Sequence, residues 1–363
     1  MRRYGYLSTM VLAVTMVIPS SSIAAATAAA AGPDAGQAVS VSNVSPARAA
    51  TNDRYWTRAR MQAARPMPKA DVGRRKAVAA TSPKAGSHPQ RIESSVPNGG
   101  GGGSFDGSPV DPNYDYPYPF TRRTLEKQLQ TVFPYRTVGV VFMRQDGVDY
   151  VCSGSSVQSK PRQVVFTAGH CLFDGDGHGS SHVVFVPAYR NGSAPYGTFA
   201  ATFTWSFAVW KNGGNDAFDM GAFSVGRNSK GKTLQSQVGA LGFAWNQSRV
   251  QHWDLLGYPA DYPFSGEKPV VCEASHAFDD APVDNDGNPV TKGYDPIGVG
   301  CDMTGGSSGG PWILSLGRGN YLNGLVSYGY DSEPGGIYGP YFGKEANWLR
   351  CRAATGNPTA MTC

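Results

Sequence analysis

From Val132 onward the apolar and β-branched residues come in short runs. The first set covers 137–143, 150–157, 163–167, 182–189, 198–210 and 220–225, and the second covers 238–245, 252–258, 270–274, 312–316 and 321–328. Gly, Pro, Asn and Asp separate them. Runs of this length without helical periodicity predict strands, and many short strands joined by turn residues predict an all-β sandwich or a pair of barrels. A helical spacing occurs only at 342–350, where Ala346 and Leu349 fall on the face of Phe342.

The sequence before these runs has a different texture. Residues 32–104 are rich in Ala, Pro, Ser, Arg and Lys and poor in large apolar side chains, a composition that predicts a largely disordered segment. The exception is Y-W-T-R-A-R-M-Q-A-A-R-P, around Tyr55, Trp56 and Met61, which predicts a short helix starting near Asn52 or Asp53 and stopping before Pro66. Five glycines at 99–103 make a flexible linker, and a Pro- and Tyr-rich stretch runs to Phe120. Residues 1–31 open with Arg2-Arg3, carry an apolar run over 10–18 and end in alanine-rich sequence, the layout of a secretory signal. That run is far shorter than the roughly 20 residues of a membrane span. The expected division is a signal peptide at 1–31, a propeptide and linker at 32–123 and a folded domain at 124–363. Within the domain, barrels are expected over about 132–230 and 231–340, with a C-terminal helix and tail at 341–363. The basic pairs Arg74-Arg75 and Arg122-Arg123 read either as processing points or as exposed charge in a loose segment.

Charge sharpens the division. The formal net charge is +5, but residues 1–123 carry 15 Lys plus Arg against 7 Asp plus Glu, and residues 124–363 carry 17 against 20. The basic excess belongs to the leader, so the domain has no charge surplus with which to neutralise phosphates, and nucleic acid is not an expected target. All six cysteines, Cys152, Cys171, Cys272, Cys301, Cys351 and Cys363, lie in the domain. An even number behind a secretion signal predicts a disulfide framework in an extracellular protein. Six cysteines allow about 15 pairings, and the count alone does not choose among them.

The densest chemistry is C-D-M-T-G-G-S-S-G-G-P at 301–311. Ser308 lies among four glycines, on a backbone free to aim its hydroxyl and nearby amides at a carbonyl, which suits acyl transfer. The G-x-S-x-G reading, Gly306 to Gly310, also fits the nucleophile elbow of α/β-hydrolases, whose histidine follows the serine. Here no histidine follows Ser308, since the six are His88, His170, His178, His182, His252 and His276. Upstream, V-V-F-T-A-G-H-C places His170 just past a strand end beside a cysteine, a rigid post for a general base. F-D-M-G-A-F places Asp219 directly before an apolar strand, where a carboxylate can be buried and orient an imidazole, and Asp216 lies three residues earlier. Asp279 and Asp280 read as loop charges. The chain order is His, Asp, Ser.

T-A-G-H-C and G-G-S-S-G-G-P in that order resemble secreted bacterial serine endopeptidases of the chymotrypsin fold. F-P-Y-R-T-V-G-V at 133–140, L-L-G-Y-P at 255–259 and C-D-x-T-G-G before the serine resemble the glutamyl-endopeptidase-like branch, and the similarity covers about 132–350. The patch around Trp56 is similar to an element of propeptides of such peptidases. The resemblance implies two antiparallel β-barrels with the site between them. It makes Ser308 the nucleophile, His170 the base and then acid, and Asp219 the residue that fixes the imidazole, with Gly306 and Ser308 supplying oxyanion-hole amides. It also implies the disulfides Cys152–Cys171 and Cys272–Cys301, and leaves Cys351 with Cys363.

The same resemblance makes Asp302, Ser327, Tyr328, Gly329 and Gly336 the substrate-binding pocket. Asp302, six residues before Ser308, is where trypsin-type enzymes pair with substrate Arg or Lys, so basic residues are expected at the cleaved bond. Some glutamyl endopeptidases also carry C-D there and meet an acidic substrate with a histidine, a position that Val326 takes here. Ser307 stands where mammalian trypsin-like enzymes have an aspartate that receives the new N-terminus, so maturation is expected to follow another route. Protein or peptide substrates and the chain's own propeptide are the expected partners of a monomer that is not membrane-bound. No cofactor and no metal are expected: D-G-D-G-H at 174–178 and D-N-D-G-N at 284–288 have calcium-like spacing, but neither completes an EF-hand loop, and both read as turns. Two rival functions use the same residues. One is an inactive binding module on the peptidase fold, and the other is an esterase.

Overall fold

The computed structural model describes residues 39–43, 52, 54–68, 86, 88–95 and 118–363. The expected signal peptide, the Arg74-Arg75 pair and the five-glycine linker lie outside them. Four strands come from sequence before the expected domain or at its edge: β1 (Val39–Asn43), β2 (Arg65–Pro66), β3 (Gln90–Ile92) and β4 (Phe120–Thr124).

The first set of apolar runs forms β5 (Val138–Gln145), β6 (Val148–Val157), β7 (Gln163–Thr167), β8 (Ser181–Pro187), β9 (Phe199–Phe207) and β10 (Gly221–Val225). They pair in the order β5-β6-β7-β10-β9-β8, and β8 returns to β5, so the sheet closes into a six-stranded barrel. Closure removes the open edges that a flat sheet would expose. Val140, Phe142, Phe166, Val184 and Trp205 are buried in its core.

The second set forms β11 (Gly242–Trp245), β12 (His252–Gly257), β13 (Val270–Asp279), β14 (Ile297–Gly300), β15 (Pro311–Leu314), β16 (Tyr321–Leu325) and β17 (Gly336–Gly339), ordered β17-β14-β13-β12-β15-β16-β11. β17 is drawn back toward the chain just past β16, where the amides of Ser327 and Tyr328 donate to Tyr338 O at 2.9 and 3.2 Å and Tyr338 N–H donates back to Tyr328 O at 2.9 Å. Trp253 and Trp312, ring centroids 5.5 Å apart, fill its core with Leu255, Val299 and Ile337. The all-β expectation holds.

Differences from the sequence pattern have local causes. Strands β14 (I-G-V-G) and β17 (G-I-Y-G) lack the β-branched runs by which strands are recognised, and their glycines pair face to face at Gly300 and Gly336. The C-terminal helix is Lys344–Thr355, starting after Gly343 rather than at Phe342 and running five residues beyond Arg350. Phe342 instead stacks on Phe243 at 5.5 Å, and the helix buries Ala346, Leu349, Ala353 and Ala354 against β7, β9, β10 and β11. Small alanines at its end carry a weak hydrophobic signal but allow close packing.

The leader fragments that are described are ordered against the barrels. A short helix is present at Arg58–Ala63, capped by Thr57; it ends before Pro66 as expected but starts at Arg58, after Trp56, rather than near Asn52 or Asp53. β1 pairs with β9, β2 runs parallel to β6, β3 pairs with β11, and β4 pairs with β13, crossing the expected boundary at 123/124. Composition predicts disorder from missing apolar side chains, but a strand added to a sheet edge is held mainly by its backbone.

Asp254 of β12 and Glu273 of β13 sit opposite each other, with Arg123 on the neighbouring β4. Burial, then the Glu273 charge, pushes the Asp254 carboxyl up to about 7, against the opposing pull of Arg123. Between about pH 4 and 7 the folded chain therefore holds a proton that the unfolded chain has lost, so this contribution to stability is present below pH 4 and disappears as pH rises through 7. Asp254→Asn should be close to neutral in urea unfolding at pH 4.5 and stabilising by on the order of 1–3 kcal/mol at pH 8. The same effect at both pH values would contradict this.

Candidate active site

The ladder between β7 and β10 brings the first two chemical groups together. Thr167 at the end of β7 faces Gly221 at the start of β10, so the turn after one strand and the turn before the other meet at the same end of the barrel. His170 lies in the first turn and Asp219 in the second. Asp219, fully buried, accepts His170 N–H on Oδ1 at 2.8 Å and His170 Nδ1 on Oδ2 at 2.8 Å. Ser327, from the second barrel, donates its hydroxyl to the same Oδ2 at 2.5 Å. Cys171 is bonded to Cys152 of β6, which fixes the histidine turn to the neighbouring strand.

Ser308 is carried by the loop between β14 and β15. Ser153, next to Cys152 on β6, grips that loop: its N–H donates to Ser308 O at 2.8 Å and its hydroxyl to Gly306 O at 2.9 Å, while it accepts Tyr258 N–H at 2.8 Å. The Ser308 carbonyl lies 3.8 Å from Cys171 Sγ, and a ring nitrogen of His170 is within 4.8 Å of that sulfur. His170 Nε2 and Ser308 Oγ are both buried without a hydrogen-bond partner among the described residues. The glycines beside Ser308 are required by space. Gly306 has φ +89°, and a Cβ there would stand 2.8 Å from Tyr258 O; Gly309 has φ +79°, and a Cβ would stand 2.6 Å from Ala168 N.

The other expected site residues are placed less uniformly. Gly306 N–H, expected in an oxyanion hole, donates to the carbonyl of Met67 in the leader at 3.1 Å. Asp302 is ion-paired with Arg122 of β4 at 2.9 Å. Ser327, expected in the pocket wall, spends its hydroxyl on Asp219 and its amide on Tyr338. Tyr328 follows it and donates its hydroxyl to Asp280 at 2.7 Å. Gly329 lies half-buried next in the chain, and Gly336 faces the ring of Tyr118, 3.1 Å from where its Cβ would be. The three disulfides are Cys152–Cys171, Cys272–Cys301 and Cys351–Cys363.

Several residues were not legible as site residues. Asp280 is no loop charge: it is 1% exposed and accepts hydroxyls from Tyr328 and Tyr330, because the chain turns inward after β13. Asp279 pairs with Arg249 and His276. Asp216 lies apart from His170 and accepts Val283 N–H at 3.0 Å; burial first, then the charges of Asp280 and Asp219, push its carboxyl well above the usual range. Ser153 reads in sequence as one more strand residue. The two calcium-like runs fold onto themselves, Asp174 accepting the amides of Asp176 and His178, and Asp284 that of Asn288. Two triplets of potential metal ligands occur among the described residues, Cys152/His170/Cys171 and Cys272/Cys301/Asp302. In each, both cysteines are in a disulfide and offer no thiolate.

No protein-family model matches the chain. The protease Anisep from Arthrobacter nicotinovorans is 35% identical, with a TM-score of 0.55 over 61% of this chain and 96% of its own. A thermostable serine protease, AL20, from an extremophilic microorganism is 37% identical, with a TM-score of 0.54 over 61% of this chain and 98% of its own. An extracellular metalloprotease of Bacillus subtilis is 30% identical over 194 residues, and a glutamyl endopeptidase of Bacillus licheniformis is 28% identical over 134. These matches take in 49% and 36% of this chain, and they span 59% and 38% of the length of the two Bacillus proteins.

Gly309→Ala would put a methyl group against Ala168 and Ser153 in a backbone region that alanine avoids. It should lower stability by more than about 2 kcal/mol in urea unfolding. An unchanged midpoint would contradict the close approach of the two loops.

Proposed function

The chain belongs to the serine endopeptidases of the chymotrypsin fold, and on that premise we propose that it hydrolyses peptide bonds through an acyl-enzyme on Ser308. The observation that carries this is the convergence of His170 and Ser327 on the buried carboxylate of Asp219, together with the two partnerless groups, His170 Nε2 and Ser308 Oγ. With Nδ1 donating to Asp219, Nε2 carries the lone pair and is the base. It takes the Ser308 proton as Oγ attacks the substrate carbonyl, then delivers that proton to the departing nitrogen as the C–N bond breaks. Water repeats the sequence, its hydroxyl going to the acyl carbon and its proton passing by way of His170 back to Ser308 Oγ. Gly306 and Ser308 amides stabilise the oxyanion, each donor contributing on the order of 10² to 10³ in rate.

The setting is extracellular. Three disulfides suit an oxidising compartment, and the leader has the composition of a signal and propeptide. The substrates are proteins or peptides, and the chain acts as a monomer with its own leader as a further partner. Basic residues are the proposed preference at the cleaved bond, supported by Asp302 six residues before Ser308 and by the guanidinium it already holds, that of Arg122. If Asp302 reads the substrate, Arg122 competes with it. In protein that lacks residues 1–68 but keeps β4, Arg122→Ala should then raise kcat/KM for Arg or Lys at the cleaved bond by about 10-fold relative to Leu. An unchanged ratio would assign Asp302 to a structural ion pair with β4.

The mechanism is tested by a fluorophosphonate probe on the protein freed of its leader. Labelling at Ser308, abolished in His170→Ala, is the expected result, and Ser308→Ala should lower turnover by about 10⁶. No labelling of leader-free protein would favour a binding module on the same fold.

A further inference from the structure

Residues 54–68 take no part in the reaction, yet they run across the first barrel and end in the cleft. Trp56 is 3% exposed, packs on Phe142 with centroids 5.2 Å apart and donates its indole N–H to His182 O at 2.5 Å. Tyr55 stacks on the His182 ring at 4.0 Å and donates its hydroxyl to Asp149 at 2.6 Å. The helix Arg58–Ala63 buries Met61. Beyond it, Arg65 and Pro66 lie alongside Tyr150 and Val151 of β6, and Met67 N–H donates to Val151 O at 2.9 Å. The Met67 side chain is buried as well, and its carbonyl is the one that accepts Gly306 N–H.

An amide that would stabilise an oxyanion is therefore occupied by a peptide carbonyl of the chain itself. The bond behind that carbonyl joins Met67 to Pro68. A proline nitrogen carries a ring carbon in place of hydrogen, which crowds the leaving side, and proline holds the preceding residue extended. Pro66 stiffens the other flank.

We propose that residues 54–68 are an inhibitory plug of the active site, in which Trp56 and Tyr55 anchor the segment to the first barrel, Met67 occupies the Gly306 amide, and Pro68 protects the plug from cleavage. This rests on the assignment of Ser308 and Gly306 above. The anchor is made by contacts well away from the cleft, so a cut elsewhere in the leader leaves the plug seated. With alanine at 68 the plug becomes a substrate. Ser308 Oγ bonds to the Met67 carbonyl carbon, the bond to residue 68 breaks with its nitrogen taking the proton, and water releases the new carboxylate at Met67.

The test follows fluorophosphonate labelling of Ser308 in the full chain, with mass mapping of fragments. Trp56→Ala should label at least about 10-fold faster than wild type, the effect of losing a buried aromatic anchor. Pro68→Ala should yield a fragment ending at Met67 that is absent from wild type and from the Pro68→Ala/Ser308→Ala double variant. A synthetic 54–68 peptide should slow labelling of wild-type protein freed of its leader, and the same peptide with Trp56→Ala should need at least about 10-fold more; this arm does not depend on a variant folding. Equal labelling rates in wild type and Trp56→Ala, with no effect of either peptide, would overturn the plug while leaving Ser308 as nucleophile. No labelling of leader-free protein would overturn the nucleophile and the plug with it.

Discussion

Everything in the cleft depends on two adjacent residues of one strand, Cys152 and Ser153 of β6. Cys152 holds the histidine turn through its disulfide to Cys171, and Ser153 holds the Ser308 loop by two hydrogen bonds, to Ser308 O and Gly306 O, and the end of β12 by a third, from Tyr258 N–H. Its carbonyl also accepts the Thr167 hydroxyl at the end of β7. Groups from two barrels are thereby referred to a single rigid element. Because side chains alternate along a strand, a slip of one residue in β6 would exchange the faces of Cys152 and Ser153 and lose both attachments at once.

Charge is arranged with similar economy. Asp216, Asp219 and Asp280 are all buried, and the charges of the other two act on Asp216. The three differ in the hydrogen bonds they receive. Asp219 receives three donors, and Asp280 accepts two tyrosine hydroxyls and the Ala281 amide. Asp216 receives the Val283 amide on one oxygen while the other has no partner, and it is the carboxyl pushed well above the usual range. Asp280 in turn ties down Tyr328, the neighbour of Ser327, so the bond from Ser327 to Asp219 is braced from behind.

What the sequence revealed was local. His170 and Ser308 stand in motifs whose neighbours, Cys171 and the four glycines, are needed within a few residues of the group they serve, and Asp219 is marked by the apolar strand after it. Ser153, Ser327 and Asp280 act across separations of 155, 108 and 48 residues, on Ser308, Asp219 and Tyr328, and nothing in their own surroundings marks them. Most apolar runs became strands, whereas the glycine-rich β14 and β17 were invisible because their pairing needs close approach rather than side-chain bulk. The docking of the leader was hidden for a related reason. Its strands β1 to β4 bind by backbone hydrogen bonds, and only Trp56 and its neighbours carried an apolar signal.

The account turns on Asp219, rather than Asp216, as the carboxylate that orients His170, and the two can be compared directly. An amide in place of the buried Asp216 carboxyl keeps its shape and leaves every group bonded to His170 in place, whereas Asp219→Asn removes the acceptor that fixes the imidazole. The decisive measurement is kcat of the two variants on one peptide substrate after removal of the leader. Asp219→Asn is expected to lose about 10⁴ in kcat and Asp216→Asn to stay within about 10-fold of wild type. A large loss in Asp216→Asn with near-normal turnover in Asp219→Asn would contradict the account.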